Sequence, residues 1–239
     1  METFDNLVLS KEIAYFDGFG LICGITTIDY GSCHLLNPDE KKQNEKLAEK
    51  FEENFFCKIV TKHADRVEVI RFNNLKKYYE ADALVFFKKR FDNRHVFPIL
   101  ISNTADCPTI ILADDLNNAI AIIHSGRRGT QKNICRKTIT TMRLDKTIGL
   151  KNIRAFVWGG ICGNCYTANE EIRVAFPSQV KENRLDLKKI IIGQLKAAGI
   201  KTIITTDACS YCSTLAGKPL FHSHRRENNG LRNCVFVAF

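Results

Sequence analysis

The sequence predicts an α+β domain built on a mixed β-sheet, and three observations lead there. Short apolar runs rich in β-branched residues follow one another closely. Helix-like stretches separate only the later runs, so the elements do not alternate regularly. Neither GxGxxG nor GxxxxGK[ST] occurs, and a doubly wound dinucleotide or P-loop domain is not expected. With 239 residues, no repeat of solenoid length and no low-complexity linker, residues 1–239 read as one domain able to bury a large core.

Taken along the chain, residues 38–56 (PDEKKQNEKLAEKFEENFF) start with Pro38 and are rich in helix formers, which predicts a helix. Strand-like runs follow: KIVTKHADRVEVIRF at 58–72, ALVFF at 83–87, FPILIS at 97–102, TIILA at 109–113, AIAIIH at 119–124, IRAFVWGG at 153–160, KTIITT at 201–206 and CVFVAF at 234–239. Helices are expected at about 130–146 and 185–198, the second stopped by Gly199 as a C-terminal cap.

Composition narrows the function classes. A hydrophobic share of 45% and a charged share of 26% are ordinary for a soluble globular protein. No apolar run reaches the roughly 18 residues of a membrane span. The start METFDNLVLSKEIAYF lacks the basic-then-apolar order of a secretion signal, so a cytoplasmic location is expected and no membrane partner. The net charge of +9 comes from lysines and arginines spread along the chain, and the dense stretches KKQNEKLAEKFEE and KKYYE interleave acids. No RRM, KH or zinc-finger signature is present, so the charge suggests attraction of anionic substrates, phosphate included, rather than nucleic acid.

Ten cysteines do not suggest a disulfide framework in a chain of this size. Two CxxC pairs occur, Cys162/Cys165 and Cys209/Cys212, but their separation far exceeds the roughly 15–20 residues of a compact zinc clip. These cysteines are expected to be packing residues or strand-end thiols.

The stretch TADCPTIILADDLNNAIAIIHSGRRGT (104–130) reads as a hairpin, with TIIL and AIAIIH joined by the turn-forming ADDLNN. With Leu112 opposite Ala119, Cys107 falls opposite His124, and directly opposed Cβ atoms lie roughly 4.5–5.5 Å apart. That suffices for one zinc ion to take both side chains, although a buried cysteine beside a strand-end histidine satisfies the same geometry. Pro108 fixes the backbone after the cysteine. In the loop after His124, Gly126 and Gly129 allow close approach of a ligand, and Arg127 and Arg128 offer bidentate contacts to an anion. A third ligand is left open among His34, His63, His95, His222 and His224.

The segments TADCPTIIL, AIIHSGRRGT, GGICGNCYTA and FHSHRRENNGLR, in this order, resemble a bacterial family long described as multicopper polyphenol oxidases or laccase-domain proteins. That family is better described as zinc-containing purine nucleoside phosphorylases with adenosine deaminase activity. The resemblance runs from about His63 to the C-terminus and includes ADALVF and LDLKKIIIGQLKAAGI. It implies an α+β sandwich with flanking helices and a metal site at His63, Cys107 and His124, which leaves one coordination position open as in catalytic zinc. It also implies that the partners are phosphate and a purine nucleoside such as adenosine, inosine or methylthioadenosine. Two positions depart from the family. Arg127 stands where the family has Trp, and Phe221-His222-Ser223-His224-Arg225-Arg226 stands where it has Phe-Phe-Ser-Tyr-Arg-Arg, whereas Arg128 and Arg225 keep its pattern.

For phosphorolysis, Arg127, Arg128, Arg225 and Arg226 are the expected phosphate ligands. Asp106 is a candidate acid/base, with a backbone-capping aspartate as the competing reading. His222 and His224, read as alternating on one face of a strand, are expected to be a surface pair. Deamination would have to proceed without the H-x-E…P-C-x-x-C signature, which is absent. Copper is the alternative metal, but a multicopper oxidase needs several His-x-His pairs, and six histidines supply only His222/His224. A cysteine hydrolase using Cys107 and His124, and a non-catalytic binding protein, are the remaining rivals. The sequence does not fix the oligomeric state.

Overall fold

The computed structural model describes residues 4–33, 39–51, 56–71, 75–91, 97–116 and 118–239. Two mixed sheets form, with strands numbered in chain order. The first runs β1 (Leu7–Leu9), β2 (Ile13–Phe16), β3 (Ile22–Thr26), β15 (Asn233–Ala238), β8 (Ile99–Thr104), β4 (Phe56–Ile59) and β6 (Tyr78–Tyr79). The second runs β12 (Thr202–Thr205), β11 (Ile153–Trp158), β9 (Thr109–Asp114), β10 (Ala119–His124), β7 (Ala83–Phe87) and β5 (Val67–Ile70). A small hairpin, β13 (Thr214–Leu215) with β14 (Lys218–Pro219), stands apart.

Strand alternation distributes the core. Leu84 and Phe86 of β7, Ile111 of β9, Ile122 of β10 and Phe156 of β11 meet Cys23, Leu100 and Val235 of the first sheet between the two layers. Their neighbours Ala83, Val85, Ile110 and Ile123 face the other way and are covered by α3 (Ile134–Met142) and α5 (Leu187–Ala197). On the far side, α1 (Glu40–Lys50) lays Leu47 and Ala48 over Phe56, Ile101 and Phe236. Helix, sheet, sheet and helix thus stack as four layers. Strands covered on both faces need apolar residues at every position, which is why TIIL and AIAIIH are unbroken runs.

The α+β sandwich expected from the sequence is present, with several differences. The mixed sheet is two sheets. The run 58–72 is split between β4 in the first and β5 in the second, and β1 to β3 were not foreseen. The helix expected at 130–146 is interrupted: α2 (Arg127–Gln131) ends before Asn133, whose left-handed backbone (φ 53°) and side-chain acceptor start α3. The helix read at 38–56 spans Glu40–Lys50, while Pro38 and residues 52–55 lie outside the described residues, as do His34 and His95. Gly199 does follow α5 with φ 93°. No helix among the described residues is long and apolar enough to cross a membrane.

What the topology does for function is to gather chain segments at one rim. β4 and β8 are parallel, so both end there. β9 runs antiparallel to β10 and β11, so its start meets their ends. β12 is parallel to β11 and ends beside it, and β15 starts opposite the end of β8. The short α4 (Glu170–Ala175) and α6 (His224–Glu227) belong to the connections between these elements.

Candidate metal centre and pocket

Three connections at this rim carry the expected ligands. His124 is the last residue of β10, and its backbone N–H donates to the Asp82 carbonyl at 2.7 Å. Cys107 lies in the short link that carries the chain from β8 in one sheet to β9 in the other. His63 lies in the link from β4 to β5, another crossing between the sheets, with a left-handed backbone (φ 52°).

The hairpin register assumed from sequence is corrected. Leu112 pairs with Ala121, and His124 faces Thr109 rather than Cys107. β9 extends to Asp114, whose carboxylate accepts the Ala119 N–H at 2.6 Å and closes the hairpin over a shorter turn than ADDLNN; Asn117 lies outside the described residues. The slip is of two residues. Because side chains alternate with period two, Cys107 and His124 stay on the same side and still meet.

The donor atoms of His63, Cys107 and His124 all lie within 4.8 Å of one another. The two imidazole rings stand edge to face with centroids 5.4 Å apart. His124 is buried, and neither of its ring nitrogens has a partner at normal hydrogen-bond geometry among the described residues, although the Asn103 backbone lies close enough to act on the ring; a metal ion on one nitrogen would complete its bonding. Gly126 clears the approach: a Cβ there would sit 2.8 Å from Cys107 Sγ and 3.6 Å from His124 Nε2. Burial, and then the Asp106 charge, push the Cys107 thiol up to about 12; burial, and then His63, push His124 down to about 4. Two neutral imidazoles and a thiol that ionises on binding fit one zinc ion, and the donor types also suit copper.

Asp82, unforeseen from the sequence, holds the His63 link in place. Fully buried, its carboxylate accepts Thr61 Oγ1 at 2.7 Å, Lys62 N–H at 3.1 Å and Arg66 N–H at 3.3 Å. Asp82→Ala is expected to weaken metal binding about 10–100-fold, measured by competition with a chromophoric chelator. Unchanged affinity would show that the link holds its shape unaided.

The cluster borders a cavity of 420 Å³, within the range of small-ligand sites, walled by Asp106, Arg127, Arg128, Ile161, Tyr166, Leu187, His224 and Arg225 among others. Arg127 is tied to Glu171 at 2.5 Å. Arg225 donates to Thr167 Oγ1 at 2.8 Å and lies over the Tyr166 ring, 5.3 Å from its centroid. The exposed Arg128 guanidinium has no hydrogen bond to a described residue, which leaves it free for a ligand.

Arg226 departs from the expectation that it binds phosphate. It is not part of the cavity wall, and its guanidinium donates to the carbonyls of Ser210 (3.1 Å), Tyr211 (2.7 Å) and Phe221 (2.5 Å) and pairs with Glu227. A cation so surrounded is a structural tie. The His222/His224 pair is also corrected. The two residues are not on a strand: His222 is buried, 3.5 Å from Glu227, and His224 opens α6 and lines the cavity. Asp106 (φ 114°) accepts three hydrogen bonds at 2.7 Å, from Ser210 Oγ, Ser223 Oγ and the Arg225 N–H, the pattern of a capping aspartate. Tyr166 and Arg232 went unnoticed in the sequence, because single residues in long loops carry no periodic signal. Arg232 lines a neighbouring cavity of 400 Å³ that also reaches the three ligands.

The two CxxC pairs, far apart in the chain, also come together in the fold, contrary to the expectation from their separation. The sulfur atoms of Cys162, Cys165, Cys209 and Cys212 all lie within 4.8 Å of one another.

A family model described as multi-copper polyphenol oxidoreductase laccase matches residues 37–238. A purine nucleoside phosphorylase of Clostridium acetobutylicum is 29% identical over 153 residues, 61% of this chain and 62% of that protein. An adenosine deaminase from an unknown prokaryotic organism is 30% identical over 127 residues, 46% of this chain and 47% of that one. The chain thus spans less than two thirds of the length of either relative. The crystal structure of the Bacillus licheniformis hypothetical protein YfiH superposes with a TM-score of 0.80 over 98% of both chains at 18% identity, a likeness of fold.

Proposed function

The chain belongs to the family described as multi-copper polyphenol oxidoreductase laccase, and on that footing we propose that it is a zinc-dependent purine nucleoside phosphorylase acting on adenosine and inosine. The observation that carries the reading is the His63–Cys107–His124 cluster on the wall of a cavity lined with arginines. The name of the Clostridium relative supports the substrate class.

In this reaction the bond from the purine nitrogen to C1′ of the ribose breaks, and a phosphate oxygen bonds to C1′. The base departs with the bond electrons and takes up a proton that the incoming phosphate supplies. Arg128 and Arg225 hold the phosphate as charge-assisted donors, while Arg127, tethered to Glu171, adds positive field. Tyr166, Ile161 and Leu187 offer the base an apolar wall. Asp106 acts as a positioning residue that fixes the Arg225 backbone. A zinc ion on His63, Cys107 and His124 would supply Lewis acidity at the substrate.

The rivals fare worse. A hydrolytic cysteine needs a thiolate stabilised by a charged neighbour, whereas burial drives Cys107 and His124 toward their neutral forms. A multicopper centre needs several histidine-rich sites, and among the described residues one cluster contains histidine. Adenosine deamination is a second reading, favoured by the deaminase relative. It requires ammonia and inosine to form from adenosine without phosphate.

Arg128→Ala is expected to raise KM for phosphate about 10–100-fold, the loss of one or two charge-assisted hydrogen bonds, and to leave KM for inosine within about threefold. The check is initial-rate kinetics with each substrate varied in turn. Equal losses for both substrates would count against a phosphate role.

A further inference from the structure

The cysteine group lies outside the proposed catalytic cluster and has its own architecture. β11 and β12 are parallel neighbours, with Val157 beside Thr205, so the loops that follow them emerge side by side. One carries Cys162 and Cys165, the other Cys209 and Cys212. The residues between the strands form α4 and α5, and the crossover brings the distant pairs together. The Ser210 N–H donates to the Gly160 carbonyl at 3.0 Å across the gap.

Each CxxC sits in a tight turn: the Cys165 N–H donates to the Cys162 carbonyl at 3.0 Å, and the Ser213 N–H to the Cys209 carbonyl at 3.1 Å. Cys209 Sγ accepts the Tyr211 N–H at 3.4 Å. The Cys162 N–H also crosses to Cys209 Sγ at 3.2 Å. The four sulfurs, all within 4.8 Å of one another, approach the spacing of about 3.8 Å that a tetrahedral ion with bonds of about 2.3 Å imposes. Four converging sulfurs in two such turns suit a closed site of four thiolates, whereas a redox dithiol needs a single pair.

We propose that Cys162, Cys165, Cys209 and Cys212 bind one zinc ion as a structural clip between the loops following β11 and β12. The clip holds the wall of the cavity. Its loops contribute Ile161 and Tyr166 to the lining, Ser210 to Asp106, and two of the carbonyls that hold Arg226. The site does not depend on the proposed reaction.

Metal and thiol counting on the full chain tests it, after purification under reducing conditions with zinc present and removal of loosely held metal. Wild type should carry two zinc ions per chain, Cys107→Ala one, and the double variant Cys165→Ser/Cys212→Ser one. One ion in wild type with none in Cys107→Ala would overturn the clip and leave the His–Cys–His site standing; one in each would support the clip and overturn that other site. A readout that needs no variant to fold is alkylation: in the zinc-loaded native protein Cys212, exposed in the fold, should resist alkylation until chelator is added. Ready alkylation with metal retained would contradict the proposal.

Discussion

Cys107→Ala is expected to lower the metal content by one ion per chain and to cut kcat/KM for nucleoside phosphorolysis by at least about 1,000-fold, a loss of about 4 kcal/mol of transition-state stabilisation. The thiol is the anionic ligand of the three, and without it two neutral imidazoles remain, one of them exposed. In metal-free protein the stability should change little, because the position is in a link between sheets rather than in either apolar layer; metal-loaded wild type should in addition show the stabilisation that the bound ion gives. Inductively coupled plasma analysis and steady-state kinetics on the same preparation check both parts. Retained metal would remove Cys107 from the ligand set, and retained activity without metal would remove the metal from the reaction.

The second large effect is expected at Asp106. Asp106→Ala deprives two hydroxyls and the Arg225 N–H of their acceptor. It also places alanine at a positive φ, for a destabilisation of about 4 kcal/mol. Thermal unfolding should show it as a lowered Tm, and activity should fall with it. Asp106→Asn separates positioning from proton transfer. The amide keeps its oxygen on the Arg225 N–H and donates to serine hydroxyls that can rotate, so activity should stay within about tenfold of wild type. A loss of 100-fold or more at unchanged Tm would instead make Asp106 the acid/base.

Most of the central strands were legible in the sequence, because TIIL, AIAIIH, ALVFF and CVFVAF are covered on both faces and cannot tolerate polar residues. Their division into two sheets was not, since a strand carries no local mark of which sheet it joins; the run 58–72 reads continuously although it crosses from one layer to the other. β1 to β3 escaped notice because they are short, three to five residues each, and Gly24 and Thr26 break the apolar pattern of the third.

Among the candidate ligands, Cys107 and His124 survive a wrong register because the error was even. His63 came from the family resemblance; its left-handed backbone and its Asp82 anchor are tertiary features. Arg225 and Arg226 look alike in sequence, yet adjacent residues at the start of a short helix point in different directions, and one lines the cavity while the other ties loops together. Chain separation misled the reading of the cysteine pairs, because a parallel crossover makes the ends of β11 and β12 neighbours regardless of the residues between them.

The central claim is phosphorolysis at the His–Cys–His site, and phosphorus NMR of zinc-loaded protein with inosine and inorganic phosphate tests it most directly. A ribose 1-phosphate signal should grow as inorganic phosphate declines, in step with release of hypoxanthine, and Cys107→Ala should show neither. Consumption of inosine to free ribose with inorganic phosphate unchanged, or no consumption by metal-loaded protein, would contradict the account.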